Sequence, residues 1–131
     1  MRDDIQRVID EHRELDTSAA DLERAIAFGP EKTGQVFTKL AGYASLLAEH
    51  LIGEHDVIRG AEDRHAALGR GQPHAARTEL EALRWDWEEY LLVWTEETAA
   101  SDWETFAEQS LAILDRIRRR IARENDLLSG A

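Results

Sequence analysis

Apolar side chains recur in this chain at alternating spacings of three and four, over four long stretches, and few segments alternate at spacing two. The first period is that of an α-helix with one buried face and the second that of a strand, so the pattern predicts helices and no sheet. The first stripe runs Ile5, Val8, His12, Leu15, Ala19, Leu22, Ile26, and the second Val36, Leu40, Tyr43, Leu47, His50, Glu54, Val57. The third runs Ala76, Leu80, Leu83, Trp87, Tyr90, Trp94, Thr98, and the fourth Phe106, Ser110, Ile113, Ile117, Arg120, Glu124, Leu127. Helices are therefore expected over 3–27, 31–63, 75–98 and 101–128. Phe28-Gly29-Pro30 stops the first, and Ser101-Asp102-Trp103-Glu104 opens the fourth as a Ser-x-x-Glu capping box. Four amphipathic helices joined by short or moderate loops predict an all-α fold, an up-down antiparallel four-helix bundle forming one domain over 1–131.

The rest of the composition mostly excludes. Without cysteine, the chain has no disulfides, thiolate nucleophiles or thiolate metal ligands. A net charge of −11 repels a nucleic-acid backbone or an anionic lipid surface. The basic run "DRIRRRIARE" reads as a solvated C-terminal helix whose cations suit the negative end of the helix dipole, with Arg120 set apart because it falls on the seam. No apolar run approaches the roughly 20 residues that cross a bilayer, and "MRDDIQRVIDEH" is too acidic for a signal or transit peptide. A cytoplasmic protein is expected. With no Gly-rich phosphate loop and no Ser/His/Asp arrangement, an enzyme is not.

Polar residues break three of the seams: His12 in the first, His50 and Glu54 in the second, Arg120 and Glu124 in the fourth. Buried singly, such groups are costly, so they should meet one another, water or a metal. Two histidines with two carboxylates form a ligand set that suits iron, manganese or zinc, and His50 and Glu54 lie one turn apart, able to face a common ion. The other reading is of hydrogen-bonded core residues with no ion. His55 lies well around the helix from His50, and Asp86 and Trp85 fall on a flank, where Trp85 is expected to pack or to meet a second copy of the chain.

"VIDEHREL", "EHLIGEHDVI" and "RIARENDLL" resemble the first-, second- and fourth-helix motifs of hemerythrin-like (HHE cation-binding) domains, over nearly the whole chain. The resemblance implies an antiparallel four-helix bundle around a carboxylate-bridged di-iron centre that binds or senses dioxygen or related species. It also implies that His12 and His50 serve one iron and that Glu54 and Glu124 are the bridging carboxylates. The chain departs from the family at the other iron. Arg120 stands where the fourth-helix histidine belongs, Trp87 stands at the third-helix counterpart, and His65 and His74 lie too early to substitute. At most one iron or other divalent transition-metal ion is then expected, on His12, His50, Glu54 and Glu124, with a small ligand such as dioxygen. The alternative is a metal-free bundle whose buried Arg-Glu-His network serves a protein partner or homo-oligomer.

Overall fold

The computed structural model describes residues 2–53, 55–69 and 73–129. It comprises α1 (Arg2–Phe28), a 3-10 turn at Pro30–Lys32, α2 (Thr33–Gly53), α3 (His55–Ala67), α4 (Pro73–Val93), α5 (Glu96–Ser101) and α6 (Trp103–Ser129). Among the described residues there is no strand, as the period-3.6 stripes require. None of the helices is long and apolar enough to cross a membrane.

The first helix stops where expected, and later boundaries depart from expectation. Gly29 adopts φ 118°, a left-handed value open to glycine, and α1 ends there before the 3-10 turn. The helix expected over 31–63 starts at Thr33, after the 3-10 turn, is described as α2 and α3 with residue 54 between them outside the described residues, and runs on to Ala67. The helix expected to reach residue 98 ends at Val93, because Thr95 takes an extended conformation and caps α5. Its hydroxyl accepts from the Thr98 amide while the Thr98 hydroxyl accepts from the Thr95 amide. The capping box thus lies at Thr95–Thr98 and not at Ser101–Glu104: Ser101 closes α5, donating to the Glu97 carbonyl, and Asp102 accepts from the Thr105 amide at the start of α6. Thr98, expected on the seam, is exposed.

α6 packs against α1, α3, α4 and α5, and α1 also packs on α2. Two apolar clusters result. The larger gathers Leu15 and Leu22 of α1, Tyr43 of α2, Trp87 and Tyr90 of α4, and Phe106 and Ile121 of α6. The smaller joins Val8, Ile58, Ala61 and Leu128. Phe106 anchors the aromatic end of the first, stacked on Phe37 at 5.3 Å and meeting the edge of Trp94 at 5.4 Å. Ser110, the small polar residue on the fourth seam, is fully buried and shares a 2.5 Å hydrogen bond with the Tyr90 hydroxyl.

Burial raises both core tyrosines. It pushes Tyr90 up to about 12, the Ser110 hydrogen bond opposing, and it lifts Tyr43 further, with the Asp16 charge adding to the effect. The neutral phenols favour the folded state, so their contribution is intact below the unfolded value near 10 and is lost as pH climbs through the folded ones. Thermal melts should fall steeply above pH 10, about 2 kcal/mol coming from Tyr90 by pH 12. Tyr90→Phe should shrink that alkaline loss; an unchanged profile would show that Tyr90 ionises as freely folded as unfolded.

Candidate metal centre

A polar layer lies between the two apolar clusters along the chain. His12 falls between Val8 of the small cluster and Leu15 of the large one, His50 between Leu47 and Ile58, and Glu124 between Ile121 and Leu128. Each polar residue continues the 3.6-residue period of its helix, so the packing that buries its neighbours buries it too. His12 is 1% exposed, His50 3% and Glu124 3%. α1, α2 and α6 therefore bring these three together, and their ligand atoms all lie within 4.8 Å of one another. Glu54, the fourth expected ligand, lies outside the described residues, as do the side chains of Val57, Ala76, His55, His65 and His74.

The contacts define the chemistry. Glu124 Oε1 stands 3.0 Å from His12 Nε2 and 3.4 Å from His50 Nε2. The outer face of each ring meets another acceptor: His12 Nδ1 makes a short hydrogen bond to Asn125 Oδ1, and His50 Nδ1 lies 3.4 Å from Glu11 Oε2. An Nδ1–H directed at those oxygens, hydrogen-bonded at Asn125 and in a longer ion-pair contact at Glu11, leaves each Nε2 with a lone pair. Neutral imidazoles in that tautomer aim two nitrogen lone pairs at the same place as a carboxylate oxygen, and only positive charge there, a proton or a cation, stabilises the arrangement. Two imidazoles and a carboxylate suit zinc, iron and neighbouring divalent ions, and outer-face acceptors of this kind orient ligating histidines. On that donor chemistry the residues fit a single ion.

Beside this cluster the second half of the layer is differently built. Arg120, its side chain 9% exposed, donates from Nε to Glu124 Oε2 at 2.8 Å, and its Nη2 lies 3.8 Å from Glu62 Oε1. Trp87 is buried, edge-on to Tyr43 at 5.8 Å and stacked on Tyr90 at 5.4 Å. His50, Trp87, Arg120 and Glu124 line one small cavity of about 30 Å³, room for a water or a diatomic molecule.

Sequence reasoning missed three of these groups. Glu62 is 6% exposed and lies on the row of fours 50, 54, 58, 62, so extending the second helix by fours from His50 would have found it. Glu11 and Asn125 each sit one position from a seam residue, where spacing gives no signal. Asp86 is on the flank as expected, exposed and bonded to Arg116 at 2.7 Å. Trp85, expected to pack on the flank or to meet a second copy of the chain, is 73% exposed and points away from the face that carries Trp87, so it does not pack within the chain. No protein-family model, curated protein or solved structure matches this chain, and the site is read from its own geometry.

Proposed function

We propose that this chain is a hemerythrin-like domain, an up-down antiparallel four-helix bundle with α2 and α3 as one leg, that has kept half of a di-iron site and serves to bind or sense a small ligand or redox state. His12, His50 and Glu124 would hold one divalent transition-metal ion, with Glu54 as the fourth ligand implied by the family resemblance. The observation that carries this reading is the convergence of two imidazole nitrogens on one buried carboxylate oxygen. An iron ion there would supply redox change and open coordination positions. The protein's own part is to hold the imidazoles through Asn125 and Glu11, to exclude water with the two apolar clusters, and to leave a cavity of about 30 Å³ alongside. Dioxygen is of a size to enter it. Arg120 opposes a second ion, because a guanidinium repels a cation and already holds Glu124 Oε2.

A second reading is favoured by that same contact. With Arg120 on Glu124 and near Glu62, the layer also works as a metal-free ion network in a bundle that acts through protein partners.

Titration of chelator-treated protein with cobalt(II) or iron(II), followed by elemental analysis, separates the two. The expected stoichiometry is one ion per chain. No binding would favour the metal-free network, and two tightly held ions would show that the third and fourth helices carry ligands after all.

A further inference from the structure

A groove that shares Arg120 with the small cavity gathers the arginines of the basic run. Arg116, Arg119, Arg120 and Arg123 all line one cavity of about 330 Å³ between α4 and α6, whereas Arg118 turns away to Glu23 and Asp16 of α1. Leu80 and Leu83 contribute the apolar part of the wall, and among the described residues Glu79 is its one carboxylate. The spacing on α6 explains the gathering: 116, 119, 120 and 123 fall on one helical face.

We infer that this groove binds a small organic oxyanion, a phosphate or carboxylate on an apolar or aromatic body, with the head among the arginines and the body against Leu80 and Leu83. Four guanidiniums line the groove itself in a chain whose net charge is −11, while of their paired acids only Glu79 is among the described lining residues. The planar donor fork of arginine matches carboxylate and phosphate oxygens. The volume lies at the lower end of the range for small-molecule sites. Arg116, Arg119 and Arg123 are each paired to an acid, Asp86, Asp115 and Glu79, but these are partly exposed pairs of the kind worth little, leaving the donors free to turn toward an incoming anion. Arg120 is different: it is nine-tenths buried, and its Nη1 has no hydrogen-bond partner. A guanidinium N–H left that way is costly, and an oxyanion drawn into the groove would relieve it. A nucleic-acid strand is disfavoured as occupant, because the charge of the whole molecule repels a polyanion that must extend beyond the groove.

The inference does not depend on metal at the histidine cluster and can be tested on the protein as isolated. Isothermal titration calorimetry with phenyl phosphate, benzoate, inorganic phosphate and phenol compares head and body separately. Phenyl phosphate or benzoate should bind one per chain, at least tenfold more tightly than inorganic phosphate or phenol. Arg116→Gln with Arg123→Gln should weaken that binding at least tenfold while leaving the melting temperature nearly unchanged, and Leu80→Asp should weaken phenyl phosphate more than inorganic phosphate. Absence of saturable binding at millimolar concentrations, equal affinity in the double variant, or inorganic phosphate binding as tightly as phenyl phosphate would each overturn the proposal.

Discussion

Arg120→Ala is expected to lower the stability of the metal-free protein by about 3–5 kcal/mol, roughly 10–20 °C in melting temperature for a chain of this size. The guanidinium is bonded to Glu124 and lies 3.8 Å from Glu62, two carboxylates that are 3% and 6% exposed, and Glu62 Oε2 has no hydrogen-bond partner even with Arg120 present. Removing it leaves negative charge in a low-dielectric layer between two apolar clusters, and leaving one partner of a buried pair is far more costly than losing an exposed pair. Arg120→Met restores most of the volume without the charge, so it separates a cavity effect from an electrostatic one. If Met rescues the fold, packing was the larger cause. The same substitution should act in the opposite direction on metal affinity. Freed from Arg120, Glu124 becomes a stronger ligand, and a bound cation supplies the missing positive charge. Arg120→Ala protein should therefore regain much of its melting temperature on adding zinc(II) or cobalt(II), by more than the parent gains. A variant that is destabilised and gains no more than the parent would count against an ion at this position.

His50→Ala should reduce metal binding by more than 100-fold, beyond the 10- to 100-fold that loss of an outer-face partner costs. It removes one of the two imidazoles that, among the described residues, face Glu124 Oε1, and a carboxylate with a single histidine holds divalent transition metals poorly. Asn125→Ala gives the graded comparison: it leaves every donor in place and removes only the acceptor for His12 Nδ1, so its loss should stay within the smaller range. Equal binding in His50→Ala and the parent would place the ion elsewhere. The reverse experiment installs histidines at the two departures from the family pattern. Arg120→His with Trp87→His should raise the stoichiometry above one, at a cost in stability, since Trp87 packs on both Tyr43 and Tyr90.

The periodic stripes alone determined that the chain is helical, and they placed His12, His50 and Glu124 on buried faces, because a helix that buries its apolar stripe carries every residue at that spacing inward. They also set Arg120 apart from the other arginines of its run, and it is the most buried of those described. Where the helices stop was less legible: Thr95 and Thr98 cap each other through side-chain oxygens, and that exchange outweighs the apolar stripe that runs through Thr98. Tertiary structure decided which polar groups meet. Glu11 reaches His50 from a different helix, Glu62 approaches Arg120 across α3 and α6, and Asn125 orients His12 over a separation of 113 residues. It likewise left Trp85 in solvent and drew four arginines to one groove against α4. Periodicity fixes the direction of each side chain about its own axis. The partner facing it depends on the rotation and offset of a second helix, which only the packed core sets.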